Sequence, residues 1–249
     1  METSRRLARA ARLGAVILGA AVVAGCASVV AGSPVPAGAG SPSGSSGSPG
    51  SPTSGPPSTS VSAPPPRVPG WQVVVAPKPG IAYDVPPDWK VETPDTIIGF
   101  ADQQGNPLVG MNDAASYKDG YCPGSSGSSR GGAGVNSSTT TDPGQAASDT
   151  AQKWADAGYT STNNVPPTIT AGTPQPVTVA GDSGMLVRDT LAVHSTNSCD
   201  PPNAEADVVA LPLQGNSGCA LFILYADQGT PDSASEQELQ QIVGSLRAS

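Results

Sequence analysis

Apolar positions are spread unevenly along this chain. A charge-free run from Leu13 to Gly25, rich in Ala, Val, Leu and Ile, stands near the start. From Ala27 to Pro66 the chain is built mainly of Ser, Pro, Gly, Ala and Thr without one charged residue. Alternating and helical apolar periods begin only beyond residue 69. This pattern divides the chain into an export segment over 1–25, a tether over 26–68 and one globular domain over 69–249, a length sufficient for a real core.

Within the domain, Trp71 to Ala76 and Ile81 to Val85 read as strands separated by the turn Lys78-Pro79-Gly80, the second stopped by Pro86-Pro87. Trp89-Lys90-Val91 is extended, and Ile97–Ala101 with Leu108–Met111 predicts a hairpin across Gln103-Gln104-Gly105-Asn106. A Gly/Ser loop is expected from Tyr121 to about Gly134, with Arg130 its only charge. The first helix is well marked, by Asp142 as N-cap, Pro143 in the first turn, Ala147, Ala151, Trp154 and Ala155 at helical spacing, and Gly158 as a stop. Three strands in meander order follow: Val177–Val179 continuing to Met185–Val193, then Ala206–Leu213, then Cys219–Ala226. Gln214 to Gly218 forms the last hairpin, and the unbroken apolar run Ala220 to Tyr225 predicts a central strand covered on both faces. Ser235 with Glu238 predicts a capping box for a closing helix whose Leu239, Ile242, Val243 and Leu246 form one stripe. The elements give an α+β domain, an antiparallel sheet with helices packed on its faces.

The export segment carries Arg5, Arg6, Arg9 and Arg12 ahead of its apolar run, the layout of a secretory signal whose charged end stays in the cytoplasm. The run ends in Val23-Ala24-Gly25-Cys26, which resembles the lipobox of bacterial lipoproteins. That resemblance implies a diacylglyceryl group on the Cys26 thiol, cleavage just before it, and a mature protein held by acyl chains at the outer face of the cell membrane. Two other readings stay open: an ordinary signal cut near Cys26-Ala27-Ser28, and an uncut anchor from Leu13 to about Ala31. Arg5-Arg6 is similar to a twin-arginine signal, but Ala8 stands where such signals place a bulky apolar residue. A tether of this composition cannot bury enough apolar surface to offset its entropy. About 40 such residues span roughly 35 Å as a coil and roughly 120 Å as an extended polyproline-like chain.

The stretch Tyr83-Asp84-Val85-Pro86-Pro87-Asp88-Trp89, the later meander and the ending Ser245-Leu246-Arg247 resemble PsbP-like domains. The lipobox, the tether and this kind of domain together look like a group of uncharacterised actinobacterial lipoproteins carrying a domain of unknown function. The PsbP-like resemblance implies an α/β/α sandwich used mainly in binding and assembly, and it brings no catalytic residues with it.

Charge and cysteines narrow the compartment and partners. Beyond residue 26 stand 8 basic and 19 acidic residues, a net charge of −11, which argues against nucleic acid as a partner. With Cys26 acylated, an odd set remains: Cys122, Cys199 and Cys219. In an oxidising compartment the meander places Cys199 and Cys219 at opposite ends of the sheet, too far apart to bond. The reading therefore pairs Cys122 with Cys199 and leaves Cys219 free and buried.

Candidate chemistry is sparse. Gly181-Asp182-Ser183-Gly184 matches the residues around the nucleophile of chymotrypsin-like proteases, but Met185 replaces a further glycine of that motif. The chain's one histidine, His194, follows Ser183 by only 11 residues. A tight turn explains the motif better than a nucleophile does. His194 has no second His beside it and reads as a surface residue rather than a metal ligand. The spaced pairs Asp84/Asp88 and Asp227/Asp232 read as solvated loop acids. Tyr117 and Tyr121 flank a loop and read as surface residues, with a ligand-facing role as the alternative. These observations call for no metal or cofactor. They predict a lipid-anchored, non-catalytic binding or envelope-assembly module whose partner is an envelope protein or ligand. The alternatives are a lipid or glycolipid carrier with an apolar cleft, and a serine hydrolase using Ser183.

Overall fold

The computed structural model describes residues 63–125, 127–195 and 197–249; the export segment, Cys26 and all but the end of the tether lie outside the described residues. The elements in chain order are β1 (Gln72–Ala76), β2 (Ile81–Val85), β3 (Trp89–Val91), β4 (Ile98–Ala101), β5 (Pro107–Tyr117) and β6 (Gly131–Ser138), followed by α1 (Pro143–Tyr159). Then come β7 (Thr168–Thr170), β8 (Gln175–Val179), β9 (Asp182–Ala192), β10 (Asn203–Pro212), β11 (Cys219–Gln228), α2 (Glu236–Gly244) and β12 (Arg247–Ala248). Among the described residues no helix is long and apolar enough to cross a membrane.

The fold is α+β. An antiparallel sheet of nine strands runs β3-β5-β6-β11-β10-β9-β7, with β4 paired to β5 and β8 to β9, and a smaller sheet is ordered β1-β2-β12. Strand β11 sits mid-sheet and is buried along nearly its whole length, as its apolar run requires. Its alternate side chains serve two cores. Leu221, Ile223 and Tyr225 meet α1 through Ala146, Ala147, Ala151 and Trp154. Phe222, Leu224 and Ala226 meet the small sheet and α2 through Tyr83, Val85, Leu239, Ile242 and Leu246. The alanines let α1 lie close against the sheet; burying each Leu or Ile on the opposite side contributes roughly 1.5–3 kcal/mol.

Local signals explain the helices. Asp142 Oδ1 accepts the Gln145 backbone N–H at 2.7 Å and caps α1, with Pro143 in its first turn. Ser235 Oγ accepts from the Glu238 backbone N–H at 3.2 Å, but the Glu238 carboxylate does not complete the box. It accepts instead from Trp89 Nε1 at 2.9 Å, joining α2 to β3. Gly158 is not a stop: α1 continues to Tyr159, and a Cβ at 158 would lie 2.7 Å from the Phe100 ring. The residue is glycine so that the β4 hairpin can press against the helix.

The largest departure from expectation lies between 121 and 134. The Gly/Ser loop ends at Arg130, and Gly131–Ser138 is strand β6, inserted between β5 and β11. Its glycines avoid collisions on the α1 side, because a Cβ on Gly132 would stand 2.8 Å from Tyr225 and one on Gly134 2.8 Å from Met111. Opposite β6, β5 carries a bulge around Asp113, whose φ is +43°. The Tyr83 hydroxyl lies 2.8 Å from the Asp113 carbonyl oxygen and 3.0 Å from that of Ala133.

Asp84 corrects a second expectation. It is fully buried rather than a solvated loop acid, while Asp88 is exposed. Its Oδ1 is 2.7 Å from Arg247 Nη1, and its Oδ2 accepts the backbone N–H groups of Arg67 at 2.6 Å and Val68 at 3.0 Å. Arg67 Nη1 also donates to the Leu246 carbonyl at 2.8 Å. One carboxylate thus ties the first described segment to the last strand.

Candidate functional site

A cavity of about 440 Å³ opens on the α1 side of the large sheet, at the end where β11 and α1 finish. Three local features build it. Residues of β11 with odd numbers face α1, so Tyr225 and Asp227 turn toward the cavity. The last turn of α1 adds Tyr159, and the β4 hairpin, seated on Gly158, adds Phe100. Residues that follow β5 and β9, among them Asp119, Tyr121, Asn197 and Asp200, close the remaining side. These two segments are joined by a disulfide between Cys122 and Cys199, with 5.6 Å between Cα atoms.

The predicted disulfide is therefore present, and it has a positional consequence. It sets Tyr121, next to one cysteine, and Asp200, next to the other, on the cavity wall. The Cys199 carbonyl accepts the Tyr121 hydroxyl at 3.0 Å and Arg130 Nη1 at 3.2 Å. The Arg130 guanidinium lies 3.8 Å from the centroid of the Tyr121 ring, a stacked cation–π arrangement. Behind the wall, Arg130 reaches Asp227 at 3.1 Å and Asp232 at 3.3 Å. The acids Asp227 and Asp232, expected to be solvated, are brought together by this one arginine.

Asp227 is a strongly perturbed group of the site. Only 4% exposed, it accepts the Tyr159 hydroxyl at 3.2 Å and the Arg130 guanidinium. Burial pushes its carboxyl up to about 6, and the bonds from Arg130 and Tyr159 restrain the rise. Burial likewise raises the Tyr225 hydroxyl to about 12, so it stays protonated at neutral pH. Its oxygen is 2.9 Å from Ser129 Oγ. Both hydroxyls retain bonding capacity toward an occupant.

The other predicted residues lie elsewhere. Ser183 is exposed on β9, just after the turn at Ala180 and Gly181, both at positive φ. His194 lies beyond the opposite end of that strand, exposed, with Nε2 2.7 Å from Thr168 Oγ1. At the rise of an extended strand the two are on the order of 30 Å apart, so Ser183 and His194 are not a nucleophile–base pair. Cys219 is free and buried. Tyr117 is buried and stacked on Trp89 at 5.4 Å, which removes it as a ligand contact. Tyr121, by contrast, lies on the cavity wall. Among the described residues no group of His, Cys, Asp and Glu is placed to hold a metal ion.

Sequence reasoning missed the convergence of Phe100, Tyr121, Tyr159, Tyr225 and Asp227. Tyr225 hides within an apolar run, Tyr159 follows the glycine expected to stop the helix, and Asp227 carries no local mark beyond ending a run. The nearest available signal was the cysteine pair, because Tyr121 adjoins Cys122 and Asp200 adjoins Cys199.

A comparison with curated proteins finds no match. Among solved structures, a crystal structure from Bacteroides thetaiotaomicron VPI-5482 at 1.50 Å resolution is similar over 72% of this chain, with 10% identity and a TM-score of 0.32. This chain covers 49% of that one, about half its length. The family model described as "Domain of unknown function (DUF8017)" matches residues 64–249, and the chain belongs to that family.

Proposed function

We propose that this protein is a non-catalytic ligand-binding module, carried on a lipidated Cys26 at the outer face of the cell membrane, with the cavity beside Tyr121 and Asp227 as its binding site. The observation that carries the reading is the cavity itself. Its volume lies within the range typical of small-molecule sites, and four aromatic side chains share its lining with a larger set of hydroxyl-bearing and acidic residues. Its loops are held by a disulfide, a bond suited to an oxidising, extracytoplasmic compartment. The lipobox-like Val23-Ala24-Gly25-Cys26 and the uncharged tether support the address. The separation of Ser183 from His194 supports binding over hydrolysis.

Mass spectrometry of the mature chain tests the address. A diacylated Cys26 at the N-terminus is expected, and an unmodified N-terminus at any other residue overturns it. Native mass spectrometry of the gently released protein tests the site. A small bound molecule is expected, and Tyr121→Ala should lose it. Retention of that molecule by the variant would place binding elsewhere.

A specific observation favours a second reading, carriage of a lipid or glycolipid. A groove of about 360 Å³ between α1 and the β4 hairpin is lined by Leu108, Val109, Trp154, Leu221 and Ile223, with Ile97 at its edge. Ile97 is 68% exposed and Leu108 54%. Co-purified acyl chains lost on Leu108→Asp, with Tyr121→Ala silent, would select this reading over the first.

A further inference from the structure

We propose that the cavity beside Tyr121 takes a small organic cation, an ammonium group seated among the aromatic rings with its polar remainder against the hydroxyl-bearing rim. The proposal rests on the binding reading above and adds the chemical class of the ligand.

Three observations converge on it. First, Phe100, Tyr121, Tyr159 and Tyr225 are among the residues lining one space, and Phe100 and Tyr225 stand edge to face with centroids 5.2 Å apart; Arg130 covers one face of the Tyr121 ring, so an occupant meets the other. Ring faces attract ammonium ions, and the attraction grows where water is excluded. Second, the charges lining the cavity have one sign. Glu92, Asp119, Asp200 and Asp227 are among the lining residues, while among the described residues no lysine or arginine is. Third, the cations behind the walls do not balance these acids. Lys90 is shared by Glu92 at 2.8 Å and Asp119 at 3.2 Å, and Arg130 is shared by Asp227 and Asp232. Asp200 accepts only from Ser195 and Asn197 among the described residues. A concave site with excess negative charge and low-dielectric walls concentrates cations and repels anions.

The arrangement also selects within that class. Ser128, Ser129, Thr160 and Thr162 lie on the rim. They offer hydroxyls to a ligand that bears oxygen, so a hydroxylated amine fits better than a bare alkylammonium. Carboxylates and phosphates are disfavoured, because Arg130 is already committed to two acids and to the Cys199 carbonyl.

The test uses the full chain and calorimetric titration with choline and with 3,3-dimethyl-1-butanol, its neutral isostere. Choline is expected to bind at least tenfold more tightly. Tyr121→Ala and Asp200→Asn should each weaken choline at least fivefold, while Tyr121→Phe, which keeps the ring, should retain it. Ethanolamine and glucosamine, tested against ethylene glycol and glucose, extend the comparison to primary ammonium. Cosedimentation with phosphatidylethanolamine vesicles, competed by free ethanolamine, separates a lipid headgroup from a free cation as the source of that group. Equal affinity for choline and its isostere would overturn the cation proposal and leave the binding reading standing. So would neutral compounds occupying the cavity while every amine fails. If neither amines nor neutral compounds occupy it, both readings fall.

Discussion

Two arginine–carboxylate clusters in this domain use the same chemistry for different ends. At one, Asp84 and Arg247 meet in the interior, with side chains 0% and 8% exposed, and the carboxylate also holds the backbone of Arg67 and Val68. At the other, Arg130 holds Asp227 and Asp232 behind a cavity, and its own face is covered by Tyr121. The first joins distant parts of the chain, and neither Asp84 nor Arg247 is among the residues lining the cavity beside Tyr121. The second spends its ion pairs on positioning groups around an open space. A buried charge pair is therefore not a functional mark in itself; its neighbourhood decides.

The largest expected effect lies at the sealed cluster. Asp84→Asn should destabilise the domain by about 3–5 kcal/mol, since it leaves Arg247 buried without its counter-charge. Asp227→Asn should cost only about 1–2 kcal/mol, because Arg130 keeps Asp232 and the Cys199 carbonyl. Urea unfolding of both variants measures the contrast. Equal losses would show that the two clusters are equally structural.

The disulfide sharpens the comparison further. Its cysteines are 77 positions apart, and Cys122→Ser with Cys199→Ser should cost about 2–4 kcal/mol overall. Hydrogen exchange should show the added opening concentrated in 118–130 and 193–202, with the Arg67–Asp84 contacts still protected. Uniform loss of protection would contradict the separation of a sealed frame from a pinned site.

A smaller effect follows from titration. Burial raises the Asp227 carboxyl from its ordinary 3.8 to about 6. Glu205, buried beside Asp207 on β10, rises from 4.5 to about 7. The folded chain thus holds more protons than the unfolded chain between about pH 4 and 7, and stability falls as pH rises through that window. The Asp227 shift alone should contribute a loss of about 1–2 kcal/mol from pH 5 to pH 8. Glu205→Gln and Asp227→Asn should each flatten the slope of stability against pH, as thermal melts across this range would show.

The outer frame of the fold was legible in the sequence, and the site was not. Asp142-Pro143 and the Ser235 cap declare the helices through backbone chemistry that neighbouring residues decide alone. The run Ala220–Tyr225 declares a central strand because burial on both faces demands continuous apolar residues. Strand β6 was unreadable for the opposite reason. Gly131-Gly132-Ala133-Gly134 has loop composition, and only the bulk of Met111 and Tyr225 across the sheet explains its glycines. Asp84 and Asp227 were misread because a polar residue gains a burial partner through the fold, at Arg247 and Arg130, with no trace in its local pattern. The cysteines were the exception, since a long-range bond is confined to few partners.

The proposed binding site is the cavity beside Tyr121 and Asp227. Amide-shift mapping of the full chain against a diverse set of small amines, sugars and neutral fragments tests it directly. The account predicts that perturbations cluster at Phe100, Tyr121, Ser129, Tyr159 and Asp200 and vanish with Tyr121→Ala. Perturbations that gather instead at Ile97, Leu108 and Trp154, or that survive Tyr121→Ala unchanged, would contradict it.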